Sequence, residues 1–249
     1  YLQSDIGDSY REVQEKVLGG QQVLFSGTPC QIAGLKSFLG HDYDNLITID
    51  LVCHGVPSPK IFRYYKEKLE KKHGSKIINY RFRDKSTGWK QYSIAATSED
   101  GTIYRKKASQ DPFIIGFLNN LYLRPSCHEC RFGGTRSWAD LSLADFWGVQ
   151  NSHPQLDDDT GISLILVHTT RGEKVIARLG EKVYLQNVDL QKAITSNPCI
   201  VKPVPGSRKR EVFFSTLSKK GYPYTEKRFL RPPSLIKRIV NRLKKVFVG

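Results

Sequence analysis

LFSGTPCQIAG, residues Leu24 to Gly34, opens as an apolar strand, turns through Gly27, Thr28 and Pro29, and presents Cys30 where a helix begins. Working outward from it, Asp8 to Leu18 carries apolar side chains at helical spacing and stops at Gly19-Gly20. QVLF is the strand that feeds the turn. Gln31 to Leu39 reads as a short helix closed by Gly40, and LITIDLVC, Leu46 to Cys53, as a buried strand. Strand, turn, helix and strand in that order predict a βαβ-type unit with a parallel pair.

Further along, Ser58 and Pro59 open a helix that runs to about Lys72 with Gly74 just beyond it. From Lys76 to Lys107 the pattern changes to alternation, in IINYRFR, KQYSIAA and TIYRKK, separated by turn-rich DKSTGW and SEDG. That alternation predicts an antiparallel meander. Asp111-Pro112 opens another helix through about Tyr122. Strands follow around DLSLADFWG and ISLILVH, then a helix from Glu173 to Leu179 and a strand KVYL. Pro198, Pro203 and Pro205 mark the end of the compact part. The expected fold is mixed α/β, with a βαβ-type half, an antiparallel strand insertion and a basic helical tail; the expected division is 1–205 and 206–249.

With 249 residues, 39% hydrophobic and 11% aromatic, the chain can bury a sizeable core. No run approaches the roughly 18 apolar residues of a membrane span. It begins at Tyr1 without Met or a leader pattern, which reads as a piece of a longer protein. The net charge of +15 is unevenly spread: Ser207 to Gly249 holds 13 basic and two acidic residues, so the rest is nearly balanced. A nucleic-acid partner is therefore not expected, because the charge lies in the tail and the aromatics are not interleaved with basic residues. Within that tail Leu235, Ile236, Ile239, Val240, Leu243, Val246 and Phe247 share one helical face. Such a face suits docking on protein, or peripheral contact with the inner surface of a membrane.

Five cysteines, Cys30, Cys53, Cys127, Cys130 and Cys199, do not form the even set of a disulfide scaffold and point to a reducing cytoplasm. Cys127 and Cys130, in CHEC between Pro125 and Gly133-Gly134, have the spacing of a shared metal centre. Cys30 and Cys53 each follow an inferred strand, the edge at which open α/β sheets hold ligands. Together they make a four-sulfur set that suits zinc or an iron–sulfur cluster, with Cys199 left over as a buried or free thiol. Taken singly, any of them is equally at home as a small buried hydrophobe. Asp157 to Asp159 reads as a solvated turn, and His54 and His128 adjoin cysteines without a decided role.

The ordered series GTPCQIAGL, CHGVPSP, FRDKSTGW, NLYLRPSCHEC and ADLSLADFWG, from about Ser4 to Thr170, resembles the C-terminal region of the coenzyme F-420 hydrogenase/dehydrogenase beta-subunit family. The resemblance implies a flavin and iron–sulfur oxidoreductase, with FAD near a [4Fe–4S] cluster and electrons passing between a ferredoxin-like donor and a small-molecule two-electron acceptor such as a deazaflavin. It implies Cys30, Cys53, Cys127 and Cys130 as cluster ligands. It suggests Gly27, Thr28, Gln31 and Asp145 around the flavin, with Phe146, Trp147 and Gly148 lining the same crevice. The ferredoxin-like cysteine run that often precedes this region in relatives does not occur here. The rival reading is a zinc-stabilised, non-catalytic binding module that uses the basic tail as its contact surface.

Overall fold

The computed structural model describes residues 1–232; the amphipathic segment expected at 234–249 lies outside them. In chain order the elements are helix α1 (Ser9–Leu18), strand β1 (Val23–Ser26), α2 (Pro29–Leu39), β2 (Leu46–Leu51), α3 (Pro59–His73), β3 (Ile77–Asp84), β4 (Ser93–Ser98) and β5 (Ile103–Lys107). They continue with α4 (Pro112–Leu118), β6 (Leu141–Asp145), α5 (Val149–Ser152), β7 (Ser163–Val167), α6 (Thr170–Leu179), α7 (Leu190–Ser196) and α8 (Arg210–Phe229). The fold is mixed α/β, with a sheet ordered β1-β2-β6-β7 and a separate sheet ordered β3-β4-β5.

The chain forms two compact units. One comprises Leu2–Val56 and Arg124–Pro205, the other Tyr1, Pro57–Leu123 and the chain from Gly206. In the first, β1, β2 and β6 are parallel and β7 closes the edge antiparallel. Helices α1 and α2 bury Val13, Val17, Leu35 and Leu39 against Leu46, with Tyr10, Val23, Phe25 and Tyr43 at the margin. Each such side chain contributes roughly 1.5–3 kcal/mol. Gly40, at φ 69, ends α2 in the left-handed conformation that lets the chain turn into β2.

The second unit holds the β3-β4-β5 meander, and its core includes Tyr65, Trp89, Phe113, Tyr122 and Phe213. Helix α4 stops at Leu118, a turn earlier than its sequence suggests. The chain reverses through Asn120, at φ 57, so that the Tyr122 hydroxyl reaches back to donate to the Phe113 carbonyl. Gly116 makes this possible, since a Cβ there would lie 2.3 Å from Tyr122 Cε1. Past the prolines, α8 buries Phe213, Leu217 and Tyr222, breaks at Gly221 (φ 73), and is followed by buried Leu230.

The expected strand KVYL is absent: Val183 to Leu185 makes no ladder, and all three side chains are exposed. Its β-type composition finds no strand beside it to pair with. The segment instead flanks a cavity of the first unit.

The sheet of that unit is locked by a buried ion network. Asp140, 0% exposed just before β6, accepts from the Thr48 N–H (2.8 Å), the Thr48 hydroxyl (2.9 Å) and the Thr169 hydroxyl (2.6 Å). It also faces Arg171 Nε at 3.5 Å. Arg171 in turn donates to the carbonyls of Tyr43 and Leu46 and to Asp42. Burial raises the Asp140 pKa, but the hydroxyl and N–H donors and Arg171 outweigh it, and the group lies below the usual carboxylate range. A lowered folded-state pKa stabilises the fold above the unfolded value and is lost as pH falls through the folded one. Asp140→Asn should cost about 2–4 kcal/mol in urea unfolding at pH 7, and the gap to the parent protein should narrow below about pH 4. Gly172→Ala should cost about 1–3 kcal/mol although alanine favours helices, because its Cβ would lie 2.5 Å from the Asp140 carbonyl oxygen. Equal unfolding midpoints would refute that close approach.

Candidate functional site

The three parallel strands end on the same edge of the sheet, and the sequences following them carry the expected residues. β1 leads into Gly27-Thr28-Pro29-Cys30, β2 into Val52-Cys53-His54-Gly55, and β6 ends at Asp145 ahead of Phe146 and Trp147. Thr28 caps α2 with extended backbone (φ −72°, ψ 159°), which puts Cys30 in the first turn of that helix. There the free backbone N–H groups favour negative charge. The Thr28 hydroxyl lies 3.2 Å from Cys30 Sγ.

Cys127 lies in the 3-10 turn Pro125–Glu129, with Cys130 immediately after it. What returns this turn to the β2 end is the neck of the insertion: the Arg124 N–H donates to the Val56 carbonyl at 2.8 Å, and the Val56 N–H points at Cys127 Sγ at 3.4 Å. The turn is held from its other side by Gly134, at φ 64, where a Cβ would lie 1.9 Å from the Ile200 carbonyl oxygen. Only glycine tolerates both that φ and that approach.

Electrostatically Cys53 and Cys127 each respond to other thiols of the set. Burial pushes Cys53 up to about 12; the Gly55 N–H opposes this, and Cys127, Cys30 and Cys130 add to it as like charges. Burial also raises Cys127, opposed by the Val56 N–H and Arg124 and reinforced by Cys30 and Cys130. Cys53 is thus coupled to Cys127, Cys30 and Cys130, and Cys127 to Cys30 and Cys130, although Cys30 and Cys127 are far apart in sequence. Cys199 stands in a separate 3-10 turn, Pro198–Ile200, half-buried. Among the described residues, no group of three or more His, Cys, Asp or Glu is arranged to hold a metal ion as the chain stands.

His128, inside the CHEC turn, is oriented by one ring nitrogen. Its Nδ1 lies 3.1 Å from the Val204 carbonyl, an acceptor only, so Nδ1 carries a proton and donates it there. Its Nε2 is buried with no hydrogen-bond partner among the described residues.

The residues expected around a flavin have structural tasks of their own. Gln31 Oε1 accepts from the Thr28 N–H at 2.8 Å and the Thr28 hydroxyl at 3.0 Å, so its side chain is spent on the start of α2. Gly27 leaves room for that side chain, since a Cβ there would meet Gln31 Oε1 at 3.1 Å. The Asp145 carbonyl accepts from Asn197 Nδ2 at 3.0 Å, Phe146 is buried, and Gly148 starts α5 at φ 84. Sequence reading named Gly134 beside the CHEC turn but passed over Val56 and Arg124, which also place it. It also passed over Asp50, Ser142 and His168, although a carboxylate inside the apolar strand LITIDL is a visible oddity.

No helix among the described residues is long and apolar enough to cross a membrane. No curated protein matches the chain. The model for the family described as the C terminus of the beta subunit of coenzyme F420 hydrogenase/dehydrogenase matches residues 20–193 and so spans β1 through the start of α7, including all four clustered thiols. Hydrogenases and dehydrogenases are oxidoreductases, and a beta subunit works beside other subunits. On that match, which covers well over half of its length, the chain belongs to the family of C-terminal regions of coenzyme F420 hydrogenase/dehydrogenase beta subunits.

Proposed function

We propose that the protein is an electron-transfer oxidoreductase in which Cys30, Cys53, Cys127 and Cys130 hold a [4Fe–4S] cluster beside a bound FAD. What supports the reading is that Cys30 and Cys53 follow parallel strands, that the turn bearing Cys127 and Cys130 is tied to the β2 end through Val56, and that Cys53 and Cys127 are coupled to the other thiols, in a chain whose family is one of redox subunits. The donor set fits: all four atoms are sulfur, and backbone N–H groups of Gly55 and Val56 address two of them, as the tuning of a cluster requires. The buried Nε2 of His128 next to these cysteines is a further polar atom awaiting a partner.

Bound there, the cluster and flavin would supply one-electron storage and its conversion to two-electron chemistry. The protein's own part is to hold and to tune. Cys53, Cys127 and Cys130 are half-buried while Cys30 is exposed, the α2 N-terminus favours negative charge at Cys30, and the Val56 N–H stabilises charge on Cys127. Gly27, Thr28, Gln31 and Asp145 are proposed as the flavin's neighbours, through the backbone of the α2 start rather than the Gln31 side chain. In this reading the donor is ferredoxin-like, the acceptor is a small organic molecule such as a deazaflavin, and the protein works in the cytoplasm, with the basic segment after Gly206 available for peripheral contact with the membrane.

Full-length protein purified without oxygen should contain about four iron and four sulfide per chain, together with flavin absorbance. One zinc per chain and no iron would establish the binding-module reading instead. Cys127→Ser or Cys130→Ser should abolish the brown colour, and unchanged absorbance would remove these residues from the ligand set. Gly134→Ala alters no sulfur, yet it should lower iron content severalfold, because the turn bearing both cysteines must shift off Ile200; full iron loading in that variant would show that the turn is not held there.

A further inference from the structure

A second polar system lies in the same sheet and uses no sulfur. Asp50 in β2 stands opposite Ser142 in β6, and Ser142 stands beside β7, which runs into His168. Asp50 is 3% exposed, accepts from the Ser137 hydroxyl at 2.5 Å and is hydrogen-bonded to the fully buried Ser142 hydroxyl. That same hydroxyl lies 2.8 Å from His168 Nε2. A carboxyl, a hydroxyl and an imidazole thus form one chain across three neighbouring strands.

The chain has two self-consistent proton arrangements. With Asp50 ionised, Ser142 donates to it, His168 Nε2–H donates to Ser142, and His168 Nδ1 is a bare lone pair. With Asp50 protonated, the carboxyl donates to Ser142, Ser142 donates to Nε2, and Nδ1 carries the hydrogen. Burial pushes Asp50 upward against the opposing serine donors, and burial lowers His168, so both groups are biased toward their neutral forms. In either arrangement Nδ1 is the polar atom left over, and it makes no hydrogen bond among the described residues.

His168 also lines an open-mouthed cavity of about 530 Å³, bounded by β7, the segment 184–190, and Ile176 and Ala193 from α6 and α7. This volume is in the range of small-molecule sites, roughly 300–1,000 Å³. The lining includes Phe146, Leu164, Leu166 and Leu185 and contains no Asp, Glu, Lys or Arg. An anionic or cationic ligand would give up part of its hydration there and gain no counter-charge from an acidic or basic side chain. Phosphate-bearing cofactors are poorly matched to such walls.

We propose that this cavity binds a small, uncharged, largely apolar molecule bearing one hydroxyl or carbonyl group, which hydrogen-bonds to His168 Nδ1. The Ser142–Asp50 pair behind the ring lets the anchor serve either group: the bare nitrogen accepts from a hydroxyl, and the protonated one donates to a carbonyl. No bond is made or broken. The site is independent of whether a cluster is bound to the thiols.

The test is fluorescence titration of the full chain with 2-naphthol, and with 2-naphthoate as the charged analogue of the same ring, without any electron donor. 2-Naphthol should bind saturably, one per chain, and 2-naphthoate at least about tenfold more weakly. His168→Leu should weaken 2-naphthol binding about tenfold, the equivalent of one hydrogen bond. Leu185→Trp, at a half-exposed position on the lining, should block the probe while circular dichroism shows an unchanged fold. Non-saturable binding, equal affinity for the two probes, or unaltered affinity in a folded His168→Leu variant would each overturn the assignment. Because the readout needs neither iron nor flavin, such a failure would leave the redox reading untouched, and loss of that reading would leave this one standing.

Discussion

The buried carboxylate of Asp140 is the constraint on which the rest of the first unit depends. Taking such a charge out of water is costly, and the cost is offset only when donors surround it. Here they come from β2 through Thr48, from the α6 cap through Thr169, and from Arg171. Because the Asp140 N–H also donates to the carbonyl of Thr48, the position of β6 along β2 is fixed before any apolar packing is counted. A shift of one residue would strip the carboxylate of its donors and turn every side chain of the strand to the other face. With the register held, Asp50 meets Ser142, and the β2 end delivers Cys53 to the sheet edge from which β1 sends out Cys30.

The insertion between β2 and β6 poses a second problem, since Pro57 to Leu123 separates Cys53 from the CHEC turn. Loop-closure entropy grows only slowly with length, about 0.6 kcal/mol per doubling, so a folded insertion costs little more than a short loop if its two ends are pinned. They are pinned at Val56 and Arg124 by a backbone hydrogen bond. The same Val56 presents its N–H to Cys127. One residue at the neck therefore both closes the insertion and addresses the sulfur.

Much of this was legible in the sequence because it is local. Gly40 and Gly74 stop helices where their left-handed conformations are needed, and Pro29, Pro59 and Pro112 open helices where a missing N–H is harmless. The alternation from Lys76 to Lys107 became the meander. What escaped is nonlocal: nothing near Thr48 announces a partner 92 residues away, and nothing in KVYL says that no strand will lie beside it. Gln31 illustrates the same limit at short range. It was chosen for its place near Cys30, and the structure uses its side chain to start the helix that carries Cys30.

The two polar systems of the sheet solve opposite problems with the same backbone. Asp50, Ser142 and His168 can remain neutral, with every polar atom but His168 Nδ1 satisfied by passing hydrogens along a row, so burial there is tolerable without a counter-ion. The four thiols have no such escape. As neutral groups they are weak hydrogen-bonders, and as thiolates they repel one another, the repulsion that helps carry Cys53 up to about 12. Gathering sulfur in this way adds little to folding by itself, and it becomes favourable when a cationic centre neutralises the group as it binds. The oxygen and nitrogen relay settles most of its hydrogens internally, whereas mutually repelling thiols gain only from positive charge brought to them.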